Sequence, residues 1–173
     1  EMCIRDRNID NPKLNCRLDG FNQFSPKRII LDRNLQIDLK SYIAKSIKKK
    51  NTIIFHNSND KSKIKLLKKR GTILIKQSTD KYKNLDLKKI LKDLYKMEIR
   101  NLLVEGGDIL TKNFLQKKLF NEFYMFRSSK NLSKNKKHVN FTSFSILNTK
   151  YNKHKINSKL ATDKLTIYKN WNV

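Results

Sequence analysis

The chain has 173 residues, with 40 Lys and Arg against 15 Asp and Glu, a formal net charge of +25. That length suits one domain able to bury a core without covalent staples, and two cysteines are too few for a disulfide framework. No apolar run approaches the ~20 residues that span a bilayer, and the start has no charged-then-apolar signal pattern, so a soluble cytoplasmic protein with no membrane partner is expected.

The charge admits two readings. Clustered Lys and Arg neutralise nucleic-acid phosphates and release counterions. Alternatively, Lys, Asn and Ile share A/T-rich codons, and composition inflates all three together. Lys supplies most of the charge, whereas base and phosphate readout favours the forked guanidinium of Arg. Lys40, Lys45, Lys48, Lys88, Lys89 and Lys92 also fall on the polar faces of predicted helices. The compositional reading is preferred and no specific nucleic-acid partner is expected, although polyanion affinity can follow as a by-product of the charge.

In chain order, Arg28–Leu31 reads as a short buried strand ending at Asp32. From Asp38 to about Lys48, Leu39, Tyr42, Ile43 and Ile47 repeat at helical spacing. Thr52–Phe55 is β-branched and apolar and predicts a strand. Asp60 opens a short helix marked by Ile64 and Leu67, and Gly71 stands where a C-terminal glycine belongs. Thr72–Ile75 is the next strand. Asp86 caps a helix whose Leu87, Ile90, Leu91, Leu94 and Met97 form one stripe. Asn101–Val104 predicts a fourth strand, and Asp108 begins a helix with Leu110, Phe114 and Leu115 inward. Ser128–Lys137 is polar and aperiodic and reads as an exposed loop. Phe123–Phe126 and Leu165–Tyr168 read as late strands. Strands alternating with helices predict βαβ units, an α/β fold with a mainly parallel sheet.

Three clusters carry chemistry. Leu102-Leu103-Val104-Glu105-Gly106-Gly107-Asp108 places two glycines between a predicted strand and a helix start, where backbone angles are unusual and N–H groups can approach a phosphate. An ordinary tight turn with a solvent-facing Glu105 explains the same spacing equally well. Asp10-Asn11-Pro12-Lys13-Leu14-Asn15-Cys16-Arg17 sets Asp10 and Arg17 on a segment that Pro12 keeps from helix, and Arg17 has the donors for a phosphate. A surface loop is the plainer reading. In Ser25-Pro26-Lys27-Arg28-Ile29-Ile30-Leu31-Asp32-Arg33, Arg33 lies at a strand's carboxyl end, where open α/β sheets bind ligands.

In this order and spacing, DNPKLNCRLDGF at 10–21, SPKRIILDRNLQI at 25–37 and LLVEGGDILTKNFL at 102–115 resemble the C-terminal reductase domain of the bifunctional riboflavin-biosynthesis proteins of the RibD family. The resemblance is good over residues 8–127 and looser beyond. It implies a dihydrofolate-reductase-like fold, a mixed and mainly parallel sheet flanked by helices. It implies NADPH as cofactor and a phosphorylated pyrimidine, 5-amino-6-(5-phosphoribosylamino)uracil, as the substrate reduced to its ribityl form. By the same resemblance Asp10 lies between cofactor and substrate, and Asp10 and Glu105 are the catalytic candidates. Leu14, Arg17 and Glu105 contact substrate, with Arg17 on its phosphate. Asp10, Arg33, Gly106, Gly107, Asp108, Ile109, Leu110 and Thr111 contact the cofactor, although the family often has a small hydroxyl residue in place of Arg33.

The departures are also expectations. A strand, a helix and a further strand, roughly 45 residues at ordinary element lengths, precede the Asp-Asn-Pro motif in the family, and residues 8–173 are read as a reductase domain lacking them. Arg5 and Asp6 stand where the family has a Gly-Thr turn. Residues 1–7 resemble nothing in the family and are read as a non-native tail that packs against nothing. A zinc deaminase is commonly fused upstream, but its His-x-Glu and Pro-Cys-x-x-Cys signatures do not occur here. His56, His138 and His154 are read as surface or packing residues, and no metal is expected. A homodimer of the complete protein is expected through the strand near Phe123–Phe126. The competing readings are a basic nucleic-acid-binding protein and an inactive fragment that keeps the fold.

Overall fold

Apolar, β-branched runs too short for helices build the first layer. In the computed structural model, which describes residues 11–48, 50–129, 142–156 and 163–170, the chain divides into two units, Glu1–Glu105 and Gly106–Val173. In the first unit β1 (Arg28–Leu31), β2 (Thr52–His56) and β3 (Ile73–Lys76) form a parallel sheet in the order β1-β2-β3. Ile30 lies beside Ile54, and Ile54 beside Leu74. All five residues of β2 are buried, as a parallel strand covered on both faces requires.

Helices α1 (Tyr42–Lys45) and α2 (Lys61–Lys69) are the crossovers between consecutive neighbouring strands. Right-handed crossovers place both on one face of the sheet. The packing agrees: Ile30 and Ile54 share a core with Ile43, Ala44, Ile47 and Leu67, and Ile64 and Leu74 pack against it. Arg70 ties the end of α2 to the approach to α1 by donating to the Leu39 carbonyl at 3.1 Å. Helix α3 (Leu87–Lys96) buries Leu87, Ile90 and Leu94, which lie outside that cluster.

Polar groups settle the edges. Arg28, 6% exposed, donates to Ser46 Oγ, the Ser46 carbonyl, Asn51 Oδ1 and Thr52 Oγ1. These neutral acceptors replace the water its charge loses on burial, and burial lowers its pKa. Asp32, fully buried, accepts from the Gln36 and Ile37 amides at 2.8 and 2.7 Å and closes the turn after β1.

The second unit is an antiparallel sheet in the order β4-β6-β5, from β4 (Glu122–Arg127), β5 (Asn152–Ile156) and β6 (Lys164–Lys169). It also contains α4 (Asp108–Gln116) and α5 (Phe144–Lys150). Leu115, Leu147 and Tyr168 form its core, with Phe120, Phe123 and Met125 against them. Along β4 the alternation leaves Tyr124 and Phe126 exposed.

Several expectations hold at residue level. Asp86 accepts from the Lys88 and Lys89 amides, Asp60 caps α2 through the Lys63 amide, and Gly71 has φ +90°. Others need correction. Asn101–Val104 is not a strand: no described strand pairs with it, and Leu103 is 82% exposed. Apolar composition supplies no backbone partner, and a strand exists only within a ladder. The helix expected over 38–48 is cut to Tyr42–Lys45 because Asp38 makes its own turn, accepting from the Lys40 amide at 2.8 Å, a local bond that competes with helix. Helix α5 and strand β5 were not foreseen, since their residues show no clear periodicity. Among the described residues the two sheets hold three strands each, parallel in one and antiparallel in the other. The readings of residues 1–7 and of 130–137 lie outside the described residues.

Three helices close with the same pair of backbone bonds. After α2, Gly71 N donates to Lys68 O and Thr72 N to Leu67 O; after α3, Glu98 N donates to Tyr95 O and Ile99 N to Leu94 O; after α4, Lys118 N donates to Leu115 O and Leu119 N to Phe114 O. The motif needs a left-handed residue. In a chain with four glycines, Glu98 and Lys118 fill it at φ +62° and +53°. Glu98→Gly and Lys118→Gly should each stabilise the protein by about 0.5–1 kcal/mol, the left-handed strain relieved less the added unfolded-state entropy. Urea unfolding midpoints that stay level or fall would contradict this.

Candidate functional site

The carboxyl edge of the parallel sheet brings Asp32-Arg33, His56-Asn57 and Lys76-Gln77 side by side. Asp32 N donates to the Phe55 carbonyl, Asn57 N to the Arg33 carbonyl and Gln77 N to the His56 carbonyl, so the ladder continues past the strands. Ligands of open α/β sheets bind outside this edge. Arg33 is held there: its Nε donates to Asn34 Oδ1 and its Nη1 to the Lys83 carbonyl. Lys76 is exposed and donates to Asn59 Oδ1 at 2.7 Å.

His56 is 3% exposed and its Nδ1 has no hydrogen-bond partner. Its packing role agrees with the sequence reading; its place at the edge of the central strand does not show in a lone His. Burial lowers its pKa, a hydrogen bond with the Ser58 backbone opposes this, Lys76 adds to the lowering and Asp32 offsets it. His154 is exposed, and His138 lies outside the described residues.

The loop carrying Leu14 and Arg17 is pinned at several points. Asn11 Oδ1 accepts from the Tyr42 amide at 2.7 Å, at the start of α1. Leu14 packs against the core of Ile30, Leu35 and Ile37, and Cys16 N donates to Ser25 Oγ at 3.2 Å. Asn11 and Leu14 have φ of +41° and +48°. A bulky residue in the left-handed region is an outlier, and such strain collects at functional sites. The pinned loop leaves the Arg17 side chain exposed. Asp10 lies outside the described residues. Glu105 is exposed and, with no strand before it, does not sit at a strand's carboxyl end.

In the second unit Gly107 is the N-cap of α4, at φ −69° and ψ 175°, and places no side chain over the first turn. Neither Gly106 nor Gly107 takes the positive φ that adjacent glycines suggested. Ile109 is 45% exposed, whereas Leu110 is buried in the unit, so only its backbone can serve a ligand. Thr111 N donates to the Gly107 carbonyl at 3.2 Å. The Asp108 carboxylate is turned to the start of α5. It accepts from Thr142 N, Thr142 Oγ1, Ser143 N and Ser143 Oγ at 3.0, 2.5, 3.2 and 3.0 Å. Partial burial opposes its ionisation, but the bonds from Thr142 and Ser143 outweigh that and hold its pKa below the ordinary range. Sequence reasoning placed Asp108 at a cofactor; its side chain joins two helices, which leaves its backbone for a ligand. A polar Thr-Ser pair 34 residues away is no signal without the fold.

Residues 7–158, all three motif segments included, match the family described as RibD C-terminal domain. The chain belongs to the RibD C-terminal domain family. It is 29% identical over 122 residues to the riboflavin biosynthesis protein RibD of Aquifex aeolicus (strain VF5), covering 70% of this chain and 32% of that protein. Its fold is similar to that of Acinetobacter baumannii RibD (form 2), with a TM-score of 0.69 and 20% identity over 96% of this chain and 45% of the other. A pyrimidine reductase-like protein from Corynebacterium diphtheriae is similar with a TM-score of 0.66 and 13% identity, over 95% of this chain and 72% of the other. The chain thus spans about a third of the curated RibD protein it matches and under half of the Acinetobacter chain. The fold is the dihydrofolate-reductase-like α/β arrangement of RibD reductase domains. Among the described residues no helix is long and apolar enough to cross a membrane.

Two outcomes follow from the polar groups. Asp108→Asn should cost roughly 1.5–3 kcal/mol, the range for hydrogen bonds to a charged group. Because the folded pKa of Asp108 is lowered, its contribution is present above the unfolded carboxylate pKa and is lost as pH falls through the folded one. Urea titrations at pH 7 and pH 3 test this, and an equal cost at both would exclude the ionic role. For His56 the lowered pKa means the unfolded chain binds the proton more readily, so stability falls as pH drops below about 6.5. His56→Leu should flatten the stability profile between pH 6.5 and 5, and an unchanged slope would place that pH dependence elsewhere.

Proposed function

We propose that the chain is the reductase part of a riboflavin-biosynthesis enzyme. It would use NADPH to reduce the ribosyl group of 5-amino-6-(5-phosphoribosylamino)uracil to the ribityl form. The observation that carries this reading is the family match across residues 7–158, which takes in the loop of Leu14 and Arg17, the β1 edge with Arg33, and the start of α4. The names of the relatives, a riboflavin biosynthesis protein and a pyrimidine reductase-like protein, support the same chemistry.

The residues present fit a dinucleotide phosphate. The N-cap of α4 is a glycine with no side-chain hydrogen bond to the first turn, so the amides there are open to an anion. Asp108, the acid nearest them, is occupied by Thr142 and Ser143. In the second unit Gly106, Gly107 and the backbone through Thr111 would hold cofactor phosphates; in the first unit Arg33, at the β1 edge, would meet an adenosine phosphate. The cofactor would supply a hydride to the anomeric carbon; the ring C–O bond breaks and the ring oxygen takes a proton. The protein's part is binding and orientation. Arg17, exposed on its pinned loop, would grip the substrate phosphate with paired donors. Leu14 would border the base, Glu105 would accept hydrogen bonds from sugar or base, and Asp10 would stand between substrate and cofactor. The exposed Tyr124 and Phe126 of β4 offer apolar surface for a homodimer of the complete protein.

Arg17→Ala, made in the complete protein, should raise the substrate dissociation constant about tenfold or more, because a charge-assisted hydrogen bond contributes roughly 1.5–3 kcal/mol. NADPH binding should be nearly unchanged. Calorimetry with each ligand separates the two, and an Arg17→Ala protein that binds the phosphorylated substrate as tightly as the parent would remove the assignment.

A further inference from the structure

Composition alone would spread the lysine excess evenly over the first unit, and the fold shows that it is not even. Residues 38–76, which contain α1, α2 and the strands between and after them, carry eleven Lys and Arg70 against two acids, Asp38 and Asp60. Residues 77–105, which contain α3, carry seven basic residues against five acidic ones. Both stretches come from one gene and one unit, so codon drift does not account for the contrast.

The topology gathers the charge of the first stretch. Helices α1 and α2 lie on the same face of the sheet through their shared core, and the bond from Arg70 to Leu39 O links them. Side chains on these helices and in the turn before α1 include Lys40, Lys45, Lys61, Lys65, Lys68 and Lys69, all exposed. Asp60 is committed to its cap, accepting from the Lys63 amide at 2.9 Å and from Ser62 Oγ at 2.7 Å. Lys61, Lys65 and Lys69 recur every four residues on one side of α2, a row of like charges that repel one another in the free protein.

We propose that the outward surface of α1 and α2 binds the phosphate backbone of nucleic acid without sequence preference. The row sets an ammonium about every 6 Å along α2, facing a duplex that carries a charge about every 1.7 Å along its axis. Several phosphates can therefore be met without two lysines competing for one. The chemistry is that of ammonium groups, point charges without the planar fork that reads bases, so backbone contact is what the surface offers. The row carries few groups for a bilayer: interfacial helices need a broad apolar face free to insert, and Ile64 and Leu67 of α2 are used on the sheet.

The test compares two triple variants of the full chain with the same change in net charge. Lys61→Gln, Lys65→Gln and Lys69→Gln clear the α2 row. Lys88→Gln, Lys92→Gln and Lys96→Gln clear a row of equal spacing on α3, all exposed. Gln matches Lys in helix propensity, and circular dichroism checks that both variants fold. Fluorescence anisotropy with labelled DNA and RNA duplexes is read from 50 to 200 mM salt. The parent should bind with dissociation constants of about 10⁻⁴–10⁻⁶ M, and loss of three phosphate contacts should make the log–log salt slope shallower by about 2–3. That change is expected for the α2 variant and much less for the α3 variant. Equal losses from both variants would mean that net charge alone acts and would overturn the proposal. So would absence of duplex binding at 50 mM salt, or binding only to anionic phosphatidylserine vesicles.

Discussion

The total burial of β2 is the constraint on which the first unit depends. A strand with five buried residues must be covered on both faces and paired on both edges. β1 and β3 pair with it in parallel, and α1 and α2 cover one face through Ile43, Ala44, Ile47 and Leu67. The strand is not wholly apolar, so its two ends also set the polar chemistry. At one end Thr52 is satisfied by Arg28, which brings a buried charge with it. At the other end His56 enters the core, and burial lowers its pKa. The ordered row of Asp32, His56 and Lys76 at the carboxyl edge is a consequence of this register.

The second unit is joined by a charge. Asp108 sits in the first turn of α4, where a carboxylate suits the helix dipole, yet its oxygens are taken by Thr142 and Ser143 at the head of α5. One side chain thereby fixes two helix starts. It also leaves the first amides of α4 without a side-chain cap, because Gly107 has none to give. The features that make the helix start open to an anion and those that hold the unit together are adjacent residues with separate tasks.

The high charge has different meanings on different surfaces. Around α3, Asp86 and Asp93 do structural work beside the lysines: Asp86 caps the helix and Asp93 accepts from Gln77 at 2.9 Å. Around α1 and α2 such carboxylates are almost missing, and the charge is left facing solvent. The proposed ligand contacts and the proposed backbone-binding surface make different demands: the former call on a pinned loop in one unit and a helix start in the other, the latter on an outward helix row. The fold provides for them on different elements.

The residues themselves determined the strands at Arg28–Leu31 and Thr52–Phe55, the caps at Asp60 and Asp86, and the turn at Gly71, because each depends on neighbours within a few positions. The motif of Asp10 to Arg17 and the Gly106-Gly107 pair were legible as a family pattern, and with them the candidate site. Backbone geometry was not: Leu14 takes a positive φ that its residue type disfavours, while Gly106 and Gly107, which could have taken one, do not. Tertiary structure decided the rest. It left Leu102–Val104 without a ladder despite its apolar character, because pairing needs a partner strand that composition cannot name. It gave the Asp108 carboxylate the task of a joint, because Thr142 and Ser143 approach it only when α4 and α5 pack. It also separated the charged face of α1 and α2 from the balanced surroundings of α3, since the handedness of consecutive crossovers, not residue content, puts two helices on one side of a sheet.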